Sequence, residues 1–491
     1  MASRANKADE TIPARVRYRA LPAAHRSEKF ATLAAISLDD DGWTDCPTDW
    51  REPFLPAATG DWATYPKLEE FFYDNGSGVM PGRTWIIAPD ADSLVKRWDK
   101  LIKAPAEKKE ALFHPHLRNG KPGDKHVNKL VKKGLGNRPA RPIIIAKEKG
   151  GCETPERYAF RSFDRQWIIP DARVINQPNP ELWSAHSQQQ VYITAPTDRS
   201  PSNGPALSVT ALIPDLHHYN GRGGREFALL WDMSAGKTNV SAACLDLLGK
   251  KFAREVNSEE LFAYIAAVAA HPAYTERFKK DLVQPGLRIP LTADEKLFDE
   301  AVKIGKEVIW LHTFGERFAD AKANRPASPP RLPKKVAPKV PKDGAIPGDP
   351  DSMPNEMWYD EDTEILRIGD KGKIVNVTPQ MWAYEVSGKQ VLTQWFSYRK
   401  KDRSKPPMGD KRPPSKLSEI QPAGWLAEYT TELLNVLNVL GRLVALEPVQ
   451  ADLLTRICKG TRINAVAITT AIRQEVKPVR TKGDQPDLFE T

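Results

Sequence analysis

The densest chemistry in this sequence is cationic. Arg399, Lys400, Lys401, Arg403, Lys405, Lys411, Arg412 and Lys416 crowd one segment against only Asp402 and Asp410, and Pro406, Pro407, Pro413 and Pro414 stiffen it. A stiff basic loop loses little entropy when it docks on phosphates; a charge run of this kind can equally be a solvated surface. Arg161, Arg165 and Arg173 sit among aromatics. Their guanidinium forks suit guanine edges or phosphates, or internal pairing with Asp164 and Asp171. The candidate DNA-binding set is therefore Arg161, Arg165, Arg173, Arg399, Lys400, Lys401, Arg403, Lys411 and Arg412.

Bond-making chemistry finds no such concentration. An amino-methyltransferase needs a Gly-rich turn for S-adenosylmethionine and an Asn/Asp-Pro-Pro-Tyr/Phe loop whose oxygens hold the target amine while its ring stacks on the flipped base. Asn179-Pro180-Glu181-Leu182 lacks the second proline and the aromatic, and Gly221-Arg222-Gly223-Gly224 follows no apolar strand. Gly236-Lys237-Thr238 has the end of a phosphate loop, but Trp231 stands where the first glycine belongs, so the nest of amides is not expected. Asp90, Glu107 and Lys109 echo a metal-dependent nuclease, in which two carboxylates bind magnesium. Glu107 and Lys109 fall in Ala104–Leu112, which reads as a charged helix rather than the required strand. His114, His116 and His126, and His217-His218, lack zinc-site spacing and a cysteine partner. No serine lies in a Gly-x-Ser-x-Gly context. No catalytic or metal-ligating residue is assigned.

The 491 residues are 40% hydrophobic, enough for two or three cores, and carry a formal net charge of +9. That balance favours a polyanionic partner. The 4 cysteines, Cys46, Cys152, Cys244 and Cys458, are far apart, which argues against a disulfide framework and fits a reducing cytoplasm. The N-terminus has no apolar signal core, and the longest apolar stretch, Leu261–Ala270, is too short to span a bilayer.

The elements that must position these residues read as a mixed α/β (α+β), multidomain chain, with a small antiparallel β-meander and a helical C-terminal part. Residues 1–14 form a disordered lead. Residues 15–140 open with a strand at Arg15–Leu21 and a helix from Ser27 to Ile36, followed by aromatics interleaved with prolines. Arg83–Ala88 reads as a strand, and Asp92–Leu101 as a helix capped by Asp92 or Ser93. Residues 141–318 form a mixed α/β domain with strands at Arg141–Ala146, Val191–Ala195 and Ser208–Pro214. Asn257 with Glu260, and Thr292 with Glu295, look like capping boxes. Residues 319–354, rich in proline and lysine, read as an extended linker. Residues 355–473 hold the meander Met357–Val377, a helix from near Gly388, and an amphipathic helix from Trp425 to Leu446. Residues 474–491 form a disordered tail.

Two runs carry a family resemblance: Tyr158–Arg173 (YAFRSFDRQWIIPDAR) and Tyr384–Arg399 (YEVSGKQVLTQWFSYR). Both resemble the C-terminal specificity region of the single-chain Type I restriction–modification enzymes, the Type ISP family. Ser77–Pro89, Ile213–Tyr219, Ala263–Phe278, Gln284–Leu291 and Leu311–Phe318 also match its pattern in order, so the resemblance spans roughly Arg15 to Cys458. Arg15–Leu33 looks like the last strand of the family's methyltransferase domain and the helix after it. The resemblance implies a cytoplasmic DNA-recognition subunit or fragment that binds double-stranded DNA. The adenine methyltransferase and helicase would lie on a separate polypeptide, or this is a truncated remnant. S-adenosylmethionine, ATP and magnesium would serve those catalytic partners, with no cofactor in this chain and no membrane association. A strand at Arg15–Leu21 standing alone would leave an edge for a partner to complete. The alternatives are a divergent stand-alone nuclease or methyltransferase, and a DNA-independent scaffold of a phage-defence complex.

The tail adds one motif. Gln485, Leu488 and Phe489 resemble the short peptides that dock on the bacterial sliding clamp, two apolar side chains entering a pocket while the glutamine supplies a directed hydrogen bond. Pro486 departs from the commoner leucine, and an inert tail is the competing reading.

Overall fold

The computed structural model describes residues 15–21, 24–46, 60–118, 121–123, 125–196, 200–219, 223–232, 237–283, 286–403, 412–473 and 475. The chain divides into two compact units, Met1–Tyr65 and Pro66–Thr491.

In the first unit, Arg17–Tyr18 pairs antiparallel with Thr44–Asp45, and the helix Arg26–Ala35 lies between them in sequence. The edge expected to await another polypeptide is thus met on one side by the chain itself.

The second unit is built on small antiparallel sheets and long helices, a mixed α/β fold as anticipated. Ile87–Ala88, Asp164–Ile168 and Glu156–Arg161 form one sheet, with Asp164–Ile168 central. Arg225–Ala228, Tyr192–Ala195 and Ser208–Thr210 form another, with Tyr192–Ala195 central. The meander is present as Met357–Asp360, Ile365–Ile368 and Gly372–Ile374. No helix among the described residues is long and apolar enough to cross a membrane.

Two apolar cores hold this unit. One gathers Trp85, Trp98, Phe113, Tyr158 and Trp183 around the first sheet; the other joins Trp310, Leu366, Trp395, Trp425 and Leu437. The helix Ser258–Ala269 buries every residue from Leu261 to Ala269 and packs along Glu295–His312. Gly305 permits that approach: a Cβ there would lie 1.8 Å from the Ala263 carbonyl oxygen. The helix Ala427–Lys459 runs through Pro448 and extends beyond the expected end at Leu446.

Residues 319–354 are irregular, as their prolines require, yet they lie on the second core. Leu332, Val340 and Ile346 pack against it, the Leu332 N–H donates to Asn438 Oδ1 (2.8 Å), and the Lys339 and Val375 backbones pair in both directions.

Local expectations shifted where a turn or cap competed. Thr84–Ile86 is a single 3₁₀ turn, leaving only Ile87–Ala88 as strand. Arg141–Ala146 forms no strand; it bends through Pro142 and ends in the 3₁₀ turn Ile145–Lys147. Asp90, not Asp92 or Ser93, caps the helix Ala91–Lys103 by accepting from the Ser93 N–H. Asn257 and Glu260 do form a capping box. Thr292 instead lies in a strand paired with Arg462–Ile463, so Asp294 caps the following helix. Gly388, at φ +74°, turns a hairpin between Glu385–Val386 and Lys389–Gln390, and the helix begins at Val391.

Candidate nucleic-acid interface

The two runs that stood out in the sequence meet in space. Tyr158–Arg173 folds as the hairpin Glu156–Arg161 and Asp164–Ile168, turned at Ser162-Phe163 with Phe163 at φ +62°. The Ser162 N–H and hydroxyl both donate to the His218 carbonyl (2.8 and 3.1 Å), which fixes the turn. Against it stands the helix Val391–Ser397 and the residues after it. The Phe160 and Tyr398 rings meet edge to face at 4.8 Å, Phe163 meets Tyr384 at 5.9 Å, and Arg399 Nη2 donates to Asp164 Oδ1 at 2.7 Å.

Each arginine of the hairpin is stacked and clamped. Arg161 lies 3.9 Å over Phe160 and donates to Asp215 Oδ1 at 2.9 Å. Tyr158 Oη donates to the other Asp215 oxygen, also at 2.9 Å. Burial alone would raise the Asp215 carboxyl; Arg161 and His217 outweigh it, so its pKa lies below the ordinary carboxylate value. Arg165 lies 3.8 Å over Phe314 and reaches Glu316 at 2.8 Å and both oxygens of Glu432 at 3.0 Å. Arg157 joins Glu432 at 3.1 Å. Burial pushes Glu432 up, and the two arginines pull it down further, leaving its pKa lowered.

Arg173 and Arg399 serve the interior. Arg173, 1% exposed, bridges Asp171 (2.6 Å) and Glu148 (2.7 Å) and donates to the Ile143 carbonyl. Arg399, also 1% exposed, stacks 3.8 Å over Trp395 and donates to its carbonyl as well as to Asp164. Of the two readings open for Arg173, internal pairing is the one it adopts; Arg399, expected in a basic surface run, is paired internally as well. Neither turns its guanidinium to the surface.

The surface cations follow directly. Lys400 is half-buried and Lys401 exposed, with the Lys401 N–H held by the Pro354 carbonyl at 2.8 Å. Arg403 folds back, donating to the carbonyls of Lys400 (2.9 Å) and Arg399 (3.1 Å). Where the chain is next described, Arg412 donates to the Pro115 carbonyl at 2.9 Å, Ser418 meets Thr84 at 2.9 Å, and Arg97 donates to the Ile420 carbonyl. Both ends of the basic segment are thereby pinned. Lys411, Gln485, Leu488 and Phe489 lie outside the described residues.

Of the residues of the nuclease echo, Asp90 precedes one helix and Glu107 and Lys109 lie on the next. Asp90 is a cap that also accepts from Tyr429 Oη (3.1 Å), Glu107 is exposed on Ala106–Phe113, and Lys109 is buried with its Nζ on the Ala146 carbonyl. Among the described residues no group of three or more His, Cys, Asp or Glu is placed to hold a metal. What this arrangement supplies is a stiff platform of stacked, clamped arginines beside surface lysines. The partners Asp215, Glu316 and Glu432 escaped the sequence reading. Asp215 had a signal, since it lies in the Ile213–Tyr219 run; Glu432 is one polar residue on a long helix and had none.

Comparison with known proteins fits this geometry. The Type ISP C-terminal specificity domain pattern matches residues 70–435, which include both runs. No curated protein matches the chain. Among solved structures, a DrdV–DNA complex is similar with TM-score 0.57 at 16% identity, over 91% of this chain and 43% of that one. A nuclease-deletion mutant of the Type ISP restriction–modification enzyme LlaGI, in complex with a DNA substrate mimic, has TM-score 0.51 at 15% identity, covering 84% and 30%. The ATP-dependent Type ISP enzyme LlaBIII, bound to DNA, has TM-score 0.54 at 12% identity, covering 85% and 25%. At such identities the likeness is one of fold, and this chain spans less than half the length of each.

Proposed function

The chain belongs to the family of Type ISP C-terminal specificity domains, and from that premise we propose that it recognises a short DNA target and presents it to methyltransferase and motor parts of a restriction–modification system. The observation that carries this reading is the match over residues 70–435, which takes in the hairpin and the helix that meet at Asp164 and Arg399. The DNA complexes of fold-similar proteins support it.

The division of labour follows from the residues. The cations of the basic segment, Lys400 and Lys401 first and Lys411 and Arg412 with them, hold phosphates and set register without reading sequence. Arg165, whose partner Glu316 is exposed where the Asp215 partner of Arg161 is buried, can exchange that carboxylate for a phosphate or base edge, because its fork suits both. Arg161, Arg173 and Arg399 stiffen the platform. Adenine methylation is the reaction proposed for the assembled system, with S-adenosylmethionine, ATP and magnesium held by its catalytic parts.

Methylome sequencing of the native host with and without this gene tests the reading. Loss of one methylated motif on deletion is expected. An unchanged methylome, together with DNA affinity insensitive to salt, would overturn it.

A further inference from the structure

Away from the hairpin, a cleft of about 320 Å³ opens between the start of the helix Pro272–Arg277, the turn at Ser202–Gly204, residues 380–385 and the helix Ala427–Lys459. Three carboxylates line it: Glu276, Glu385 and Glu447. Glu276 stands toward solvent and meets Lys279 at 3.7 Å. Glu447 differs. Burial pushes its pKa up to about 7, with no neighbouring cation acting against that rise. On a chain of net charge +9, a half-buried carboxylate without a counter-charge is unusual, because burying a charge is costly unless it is paired.

Two further residues of the lining carry acceptors. Thr275, 3% exposed, lines the cleft, and its hydroxyl has no hydrogen-bond partner. Val444 also lines it. Four residues on stands Pro448, which has no N–H to donate, so the Val444 carbonyl loses its regular helical partner. Gly204 keeps the wall close: a Cβ there would lie 2.1 Å from the Glu385 carbonyl oxygen. The cleft lining thus carries carboxylates and a hydroxyl, all able to accept. The carboxylates do not converge, since no group placed to hold a metal occurs among the described residues. A set of separated acceptors suits ammonium groups spaced along a chain better than a compact divalent ion.

We propose that this cleft is a binding site for a linear aliphatic polyamine, with ammonium groups on Glu447 and Glu385 and an N–H donated to Thr275. It stands apart from the DNA-recognition reading, and its test contains no DNA.

Titration calorimetry of the full chain with spermidine at fixed ionic strength decides the matter. Saturable one-site binding is expected, weakened at least about tenfold in the Glu385→Gln/Glu447→Gln double variant, since each substitution removes a charge-assisted hydrogen bond. Thr275→Val should weaken it several-fold, and magnesium at matched ionic strength should not displace the amine. No saturable heat, equal affinity in the double variant, or displacement by magnesium would overturn the proposal. Both glutamine changes preserve side-chain shape, and an unchanged circular dichroism spectrum establishes that the variant is folded.

Discussion

Arg399 and Asp164 lie 235 residues apart in the chain, yet they form an ion pair at 2.7 Å with each side chain 1% exposed. This contact locks the hairpin to the residues that follow the helix Val391–Ser397. Removing one partner of a buried pair strands the other charge in a medium that cannot solvate it, at a cost of about 3–5 kcal/mol. Asp164→Leu or Arg399→Met alone should lower stability by that order in urea unfolding. The double variant should recover most of the loss. If each single change costs no more than an exposed salt bridge, the pair is not the lock.

Gly305 gives a prediction of opposite sign to the usual rule. Replacing a helical glycine by alanine ordinarily stabilises by about 0.5–1 kcal/mol. Here the added Cβ would lie 1.8 Å from the Ala263 carbonyl oxygen, a backbone atom that cannot rotate away. Gly305→Ala should therefore lower the thermal midpoint. A raised midpoint would show that the two helices can separate without cost.

Much of the fold was legible because hydrophobic period and caps are local. The Asn257–Glu260 box and the meander needed only their own residues. The errors arise where a competing turn, cap or distant strand claims the same residues. Thr292 was taken by pairing with Arg462, and Gly388 by a hairpin turn. The candidate site was half legible. Its aromatics and arginines stood out, but whether Arg173 faced DNA or Asp171 depended on Glu148 and on burial, which no local pattern encodes.

Acid should destabilise the protein from about pH 6.5 downward. Burial holds His218 and His312 neutral, each with its pKa lowered to about 3 from 6.5. His312 Nδ1 accepts from the Val209 N–H (3.2 Å), which puts its proton on Nε2. Below pH 6.5 the unfolded chain takes up protons that the folded chain refuses until about pH 3, so stability falls as pH falls across that window. One pH unit is worth about 1.4 kcal/mol for each such group. Urea midpoints between pH 7.5 and 5.5 should show the decline. His312→Gln, which retains an acceptor for Val209, should reduce the slope; an identical slope would refute the assignment.

Limited trypsin should not release two folded pieces at Lys334–Lys342. The lysines there are exposed, but the backbone is held by Asn438, by pairing with Val375 and by the Asn376 amide on the Ala337 carbonyl (3.0 Å). A protease needs a locally opened chain, and this one opens only by breaking contacts with the core. Early cutting inside this window, with both products stable, would mark it as a linker between domains.

The last prediction separates the cations that build the platform from those that meet DNA. Arg399 and Lys400 are adjacent in sequence and differ in everything else: Arg399 is 1% exposed and paired, whereas Lys400 is half-buried and Lys401 exposed. Lys400→Glu/Lys401→Glu should leave the urea midpoint within about 0.5 kcal/mol of the parent, since surface changes rarely cost more. The same variant should weaken DNA binding by a similar factor on every duplex, because phosphate contacts carry no sequence information. The slope of log affinity against log salt should become shallower by about 1.8, from roughly 0.9 per phosphate contact removed. Arg399→Met should do the reverse, lowering the urea midpoint first and DNA binding only through lost structure. Filter binding over a salt series, with the midpoint measured on the same preparations, distinguishes the two. An unchanged salt slope in the double-glutamate variant would mean that these lysines face water and that the phosphate contacts lie elsewhere on the chain.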